Sequence, residues 1–386
     1  MNLQLIDGLF NGISIGSVLL ISALGLSIVF GLMGVINMAH GELMMLGAYT
    51  TFLVQNGCKN LGEFGTNIYI LLAIPAAFLV TAIVGLVLER GVIRFLYGRP
   101  LETLLATWGV SLILQQFVRS VSWVLVIGLV LFCLLFFGGL FAVQKRLDFD
   151  KIKTWAIAIL LPLSLGIAWT TSAVVGNQFK LAVTQPWFGA QNVDVTAPAW
   201  LRGGIPLGNF QLPYTRIFII SLTIVCVLGI YGFLQRSSWG LRIRSVTQNR
   251  TMSACLGIPT NQVDALTFAL GSGLAGIAGC AISLLGAVGP NTGQNYIVNT
   301  FMVVVVGGVG KLVGTIWAAL AIGVIDYLIS SGTLAFMAAP IPALMEFFNF
   351  FATQPMAKVM VFALIILFLQ WRPGGIFPQK GRTADV

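Results

Sequence analysis

Charged side chains are scarce in this chain of 386 residues: 9% of them are Asp, Glu, Lys or Arg, whereas 58% are hydrophobic. Soluble domains carry about 25% charged residues, which cover the surface that meets water. A mean hydropathy of +0.95 leaves too few charges for a soluble globule, a disordered chain, a coiled coil or a collagen. The composition therefore predicts an all-α, polytopic integral membrane protein.

Histidine and paired cysteine are scarce as well, which excludes most metal chemistry. His40 is the single histidine, and the five cysteines are scattered without the spacing of metal ligands. Neither a zinc site nor a disulfide framework is expected. A phosphate-binding loop is also missing, because the run GGVGK at 307–311 continues with leucine instead of Ser or Thr. We expect no metal, no cofactor and no nucleotide hydrolysis by this chain.

Apolar runs long enough to cross a bilayer recur along the whole chain. A spanning helix needs about 20 such residues, and roughly eleven runs qualify, so we predict about 10–11 transmembrane helices. The shorter runs leave re-entrant or broken segments open as the alternative to full spans. The runs lie near 8–30, 33–54, 68–88, 102–120, 122–142, 155–175, 217–234, 263–287, 296–310, 312–331 and 356–371.

Basic residues mark one side of the membrane. Most of them lie in the segments 90–99, 145–153, 236–250 and 372–382 and at Lys311. Alternation through the spans places all five on the same side, which the positive-inside rule identifies as the cytoplasm. The net charge of +9 is thus attributed to topology instead of nucleic acid binding. The N-terminus is expected outside and the C-terminus inside.

The segment 176–215 is expected to form an outer loop. Its prolines and glycines argue against a regular membrane helix. Trp187, Phe188 and Trp200 are typical of the membrane–water interface, where aromatic rings anchor a chain. A tethering loop with aromatic anchors and a docking surface for a partner both fit this composition.

Polar residues interrupt the apolar run GLMGVINMAHGELMMLGAY. Asn37, His40 and Glu42 lie where a charged group costs at least about 2.5 kcal/mol at mid-bilayer. They fit a structural polar turn that orders a helix break, and they fit direct lining of a permeation path. An enzyme is disfavoured, because no nucleophile stands beside this acid–base pair.

Three glycines in the second half of the chain are also candidates for the pathway. Gly307, Gly308 and Gly310 interrupt an apolar run, as the break of a discontinuous transporter helix would; tight helix packing is the alternative. Transporters built from repeats place the substrate between such broken helices.

A second polar stripe runs along LLATWGVSLILQQFVRS. Thr107 precedes Trp108, Ser111 and Gln115, which share one helical face. These four residues could bond a small neutral solute or a neighbouring helix.

The cytoplasmic loop, residues 235–262, is long, basic and patterned. LRIRSVTQNRTMSACLG predicts a short helix that stops at Gly257, with Pro259 just beyond. Ala254, Leu256 and Ile258 give it small apolar knobs beside a basic face. Such a helix suits a groove on a soluble partner, and a merely solvated basic loop is the alternative.

Three motifs now carry a family resemblance: INMAHGE, GLRIRSVTQNRTMSACLGI and VVVVGGVGKLVGTIWAALAIGVID. Together they resemble the permease subunits of branched-chain amino acid ABC transporters, and most of all the urea permeases of cyanobacteria. The resemblance spans nearly all of residues 1–386, which it implies to be one permease domain. The hydrophobic hairpin at 122–170 departs from the shorter amino acid permeases and is similar to the urea type.

The resemblance implies an importer of urea or short amides in a bacterial inner membrane, with the N-terminus periplasmic. Its implied partners are a second homologous permease, two ATPase subunits, a periplasmic binding protein and membrane lipid. The cytoplasmic loop matches the helix that couples to the ATPase. Its implied docking residues are Arg244, Asn249, Ala254, Gly257 and Ile258.

Two other functions stay open. Branched-chain or other amino acids would need a partner for the carboxylate, which helix N-termini can supply. A passive urea channel would conduct without nucleotide.

Overall fold

The structure is a computed structural model that describes residues 2–146, 159–167, 169–171, 173–174, 187–188, 191–207, 210–338, 340 and 342–377. Helices make up most of this part of the chain, with one short two-stranded hairpin, which confirms the all-α, polytopic class. The turn between the two helices of the predicted 122–170 hairpin lies outside the described residues.

Fifteen α-helices follow one another along the described chain. Their bounds are α1 Asn2–Met33, α2 His40–Lys59, α3 Gly62–Gly91, α4 Pro100–Ser120, α5 Trp123–Arg146, α6 Ile159–Thr171 without residue 168, α7 Tyr214–Arg236, α8 Ser238–Gln248, α9 Arg250–Cys255, α10 Thr260–Ser283, α11 Thr292–Gly307, α12 Leu312–Ser330, α13 Thr333–Met337, α14 Pro342–Phe351 and α15 Gln354–Trp371. Short 3₁₀ helices cover Ile93–Leu96 and Ala199–Leu201.

Seven of the described helices are long and apolar enough to cross a membrane: α1, α3, α4, α7, α10, α12 and α15. Four of the eleven predicted runs are not among the seven: those at 33–54, 122–142, 155–175 and 296–310, which became α2, α5, α6 and α11. α11 has only 16 residues. α2 has 20 residues but carries polar residues at both ends.

The helices α1 and α10 form the centre of the bundle. In each of them, 83% of the most apolar stretch is buried, against 17% in α7 and α15, whose apolar side chains face outward. Glycines permit this packing, because backbones can approach where no Cβ intervenes. Gly271 of α10 lies against the backbone of Gly25 in α1, and Gly276 lies against Gly47 in α2.

The chain divides into two compact units, residues 1–112 with 193–386, and residues 113–192. The second unit contains the predicted hydrophobic hairpin. Within it, α5 and α6 pack closely where Gly139 meets the side chain of Leu160.

In the described part of the segment 176–215, a two-stranded antiparallel hairpin of β1 Gly204–Leu207 and β2 Phe210–Pro213 follows the short 3₁₀ helix. The segment before the hairpin is fastened to the bundle. The indole of Trp200 donates to the carbonyl of Asn67 at 2.8 Å, and the Tyr69 hydroxyl donates to the carbonyl of Thr196 at 2.8 Å. Trp187 and Phe188, which belong to the second unit, form an edge-to-face pair.

Candidate functional site

A helix break separates α1 from α2 in the interior of the bundle. α1 ends at Met33, Gly34 follows with a φ of +66°, and α2 begins at His40. The ring Nε2 of His40 donates to the carbonyl of Ser22 at 3.0 Å. Because Ser22 lies eleven residues before the end of α1, the chain runs back along α1 by about 17 Å before α2 starts. The first turn of α2 therefore lies beside the middle of a spanning helix.

Asn37, His40 and Glu42 are each at most 1% exposed in this break. The side chain of Asn37 accepts from the backbone N–H of Ala39 at 3.1 Å, which closes the turn before α2. The Ser111 hydroxyl of α4 donates to Glu42 Oε1 at 3.1 Å.

A further side chain of α4 holds the break, since the backbone N–H of Met38 donates to Thr107 Oγ1 at 3.1 Å. With Asn37 and Ser111, it bonds polar groups of the break from within the protein. Asn37 Nδ2 and His40 Nδ1 are buried without a hydrogen-bond partner among the described residues. The bonds that are made fit the polar-turn hypothesis, and the two unpaired nitrogens leave direct lining of a path as the alternative.

Four polar side chains of α4 recur at every fourth position and are buried: Thr103, Thr107, Ser111 and Gln115. Three of them are among the four that the sequence singled out, whereas Trp108, the remaining one, is 52% exposed. Gln115 belongs to the second unit. The sequence did not single out Thr103, because a helix of mixed polarity does not reveal which face is covered.

Gly307, Gly308 and Gly310 connect α11 to α12. Gly307 ends α11, and the next two have φ values of +94° and +77°, which side chains rarely adopt. The backbone of Gly310 lies directly against Gly31 of α1, and Ile376 donates its backbone N–H to the Val306 carbonyl at 2.8 Å. These glycines therefore make a close-packed turn beside the end of α1.

The partner of the α1–α2 break is instead the start of α11, which the sequence reasoning missed. Gly293, in the first turn of α11, lies against the backbone of Gly41 in the first turn of α2. Further along α11, the hydroxyls of Ser22 and Thr300 are 3.0 Å apart. The sequence signal was GPNTG at 289–293, whose Thr292 hydroxyl accepts from the N–H of Gly289 at 2.8 Å. Two helix starts thus meet inside the bundle.

The loop at 235–262, which the sequence predicts to be cytoplasmic, contains two helices, α8 and α9, where the sequence predicted one. Asn249 separates them with an extended φ of −155°, and its side chain caps α9 by accepting from the N–H of Met252. Gly257, at φ +79°, ends α9. The N–H of Gly257 donates to Ala254 and that of Ile258 to Ser253, which is the Schellman arrangement of a helix end.

The implied docking residues occupy different positions on this loop. Ala254 and Gly257 are exposed, whereas Ile258 packs inward beside Ile243 and Val263. The largest exposed apolar side chains of α9 and its end are Met252 at 61% and Leu256 at 78%.

Arg244 reaches back along the loop, because its guanidinium donates to Gln235 Oε1 at 3.0 Å. The exposed apolar side chains Met252 and Leu256 are four residues apart and share one face of the segment.

Removing the Glu42–Ser111 hydrogen bond tests the polar-turn hypothesis. We expect Glu42→Ala to lower the free energy of unfolding by about 2 kcal/mol, because the buried hydroxyl of Ser111 loses its acceptor. In a double-mutant cycle with Ser111→Ala, thermal unfolding in detergent should show the two effects to be non-additive. Additive effects, or lost uptake at unchanged stability, would instead favour the pathway hypothesis.

The chain is similar to proteins of a known family. The pattern of the family described as branched-chain amino acid transport system / permease component matches residues 8–369. No solved structure matches the chain.

Three curated relatives illustrate how far the likeness extends. The high-affinity branched-chain amino acid transport system permease protein BraD of Pseudomonas aeruginosa is 27% identical, over 95% of this chain and 94% of its own. The permease LivH of Escherichia coli K12 is 24% identical over 97% and 96%. A probable LivH of Methanocaldococcus jannaschii is 24% identical over 81% and 78%.

Proposed function

Because the chain belongs to the permease components of the branched-chain amino acid transport systems, we propose that it is the membrane-spanning permease subunit of an ATP-driven importer of branched-chain or related amino acids. The observation that carries this proposal is the extent of the match. Residues 8–369 include both helix starts that meet inside the bundle and the whole cytoplasmic loop.

The broken helices supply chemistry that an amino acid needs. A helix N-terminus carries a partial positive charge and favours a carboxylate, so that no buried Lys or Arg is required. The starts of α2 and α11 meet at Gly41 and Gly293, where movement of α11 would open a route between them. Amino acids with apolar side chains also suit a bundle whose interior is mostly apolar.

The sequence resemblance first pointed to urea, but the matching relatives are named for branched-chain amino acids. Urea and short amides remain the second candidate substrate. The observation in favour of urea is that four polar side chains around the break, Asn37, Ser22, Ser111 and Thr300, are uncharged hydrogen-bonding groups, which suit a neutral solute. They lie beside His40 and Glu42, the two ionisable residues of the break.

The proposal includes partners and an orientation. Of two ATPase subunits below the permease pair, one binds the cytoplasmic loop of this chain through a docking surface of Met252 and Leu256. A second homologous permease completes the path, and a periplasmic binding protein delivers the solute to the outer segment. The N-terminus is periplasmic and the C-terminus cytoplasmic, because the basic residues gather at one end of the spans.

Uptake into vesicles tests the proposal. The complete transporter, purified from source membranes through a tag on this chain, is reconstituted with ATP inside and the binding protein outside. We expect accumulation of labelled leucine, isoleucine or valine that stops when ATP is omitted. Accumulation of urea alone would identify the second candidate, and urea flux through this chain without ATPase subunits would overturn the importer.

A further inference from the structure

Four ionisable side chains meet where the cytoplasmic loop approaches the bundle. Arg250 is the first residue of α9, and its guanidinium pairs with the Asp264 carboxylate of α10 at 2.5 Å. The same guanidinium lies over the ring of Tyr97, 5.1 Å from its centroid. The Tyr97 hydroxyl donates to Glu89 Oε1 of α3 at 2.8 Å. One arginine of the loop therefore contacts two other parts of the chain.

Both carboxylates of this junction are buried. Glu89 is 1% exposed and the Asp264 side chain is 4% exposed, against 43% for Arg250. A buried carboxylate needs its partner, because losing the partner leaves a charge without compensation. Burial and the hydrogen bond to Glu89 also raise the pKa of Tyr97 well above its ordinary value, so that Tyr97 stays a donor.

The two contacts of Arg250, with Asp264 and with Tyr97, lead to different places in the bundle. Asp264 lies at the start of α10, which packs backbone to backbone against α1 at Gly25 and against α2 at Gly47. Tyr97 packs on an apolar cluster that includes Phe268 and also Val35, a residue of the α1–α2 break. Asp264 and Tyr97 therefore both connect Arg250 to the elements that form the candidate functional site.

We propose that Arg250 is the positioning residue that ties the cytoplasmic loop to the broken-helix core. Movement of α8 and α9 is passed through Asp264 to α10 and through Tyr97 to the α1–α2 break. An arginine suits this position, because its planar guanidinium can bind a carboxylate and stack on a ring at the same time, which a lysine ammonium does less well. This inference rests on the proposed function and adds the residue that transmits movement of the cytoplasmic loop to the bundle.

The test compares coupling with assembly in the complete transporter, purified from source membranes through a tag on this chain. Two quantities are measured: the amount of ATPase subunit that co-purifies, and the ATPase rate with the substrate-loaded binding protein relative to the rate without it. We expect Arg250→Ala and Asp264→Asn to lower this stimulation about tenfold, in keeping with a charge-assisted bond, at unchanged co-purification. Tyr97→Phe keeps the ring but loses the donor, so we expect a smaller loss of about threefold.

Two further variants sharpen the test. Arg250→Asp combined with Asp264→Arg should recover stimulation relative to either single change, because the pair is restored with its charges exchanged. Arg94→Ala is the matched control, since this arginine of the same cytoplasmic side stacks on its own neighbour Phe95, and it should behave like the wild type.

The outcomes separate this inference from the proposed function. A wild-type complex that shows no stimulation contradicts the proposed function itself. A stimulated wild type with unchanged Arg250 and Asp264 variants overturns the inference alone. Loss of ATPase co-purification in parallel with stimulation also overturns it, because Arg250 would then be a docking residue. Retained assembly with lost stimulation, recovered by the charge exchange, supports it.

Discussion

Replacing Gly47 by leucine is expected to destabilise the helix bundle strongly. A Cβ at this position would fall on the backbone of Gly276 in α10, and a backbone cannot move aside as a flexible side chain can. We expect the free energy of unfolding to fall by about 3 kcal/mol or more, at the upper end of overpacking effects. The measurement is the melting temperature and the monodisperse yield in detergent.

The same helix offers a matched control. Gly57 is exposed, and a Cβ there would meet nothing within 4 Å. Gly57→Leu should leave stability unchanged or raise it by up to about 1 kcal/mol, because glycine is a poor helix former. Equal melting temperatures for the Gly47 and Gly57 variants would show that α2 and α10 are not in close backbone contact.

A charge at the docking surface is expected to abolish transport while leaving the permease folded. Leu256 is 78% exposed at the end of α9, so Leu256→Asp disturbs no internal packing. If the residue is an anchor for the ATPase, its loss should weaken binding about thirtyfold or more, which corresponds to the ~2 kcal/mol of an interface hot spot. Uptake and ATPase co-purification should fall together.

Leu256→Met is the control for this change, because it keeps an apolar side chain of similar volume and should retain uptake. The melting temperature of both variants should match the wild type. Normal ATPase co-purification with Leu256→Asp would place the docking surface elsewhere on the loop.

α10 connects the cytoplasmic loop to the centre of the bundle. α10 begins at the junction with the cytoplasmic loop and continues between α1, α2 and α3, where glycines of α10 replace side-chain contacts by backbone contacts. Packed backbones transmit displacement without the slack of long side chains. A motor that acts on α8 and α9 would thereby move the helix starts at Gly41 and Gly293.

Much of this protein was determined by local sequence. The scarcity of charge and the length of the apolar runs predicted a helical polytopic membrane protein, because every backbone polar group in a bilayer must be satisfied within its own segment. The end of α9 at Gly257 and the interruption at Gly307–Gly310 were readable for the same local reason, since glycine is the residue that tolerates φ values of +79° and +94°.

Only the tertiary structure decided which residues meet. The sequence placed Trp108 on one face with Ser111 and Gln115, whereas the fold covers Ser111 and Gln115 and leaves Trp108 exposed. The sequence did not predict that Gly41 contacts Gly293 or that Arg250 pairs with Asp264, because those contacts join helices far apart in the chain. In a membrane both lipid and neighbouring helices are apolar, so hydrophobic periodicity does not distinguish the two faces of a helix, and packing between helices settles the matter.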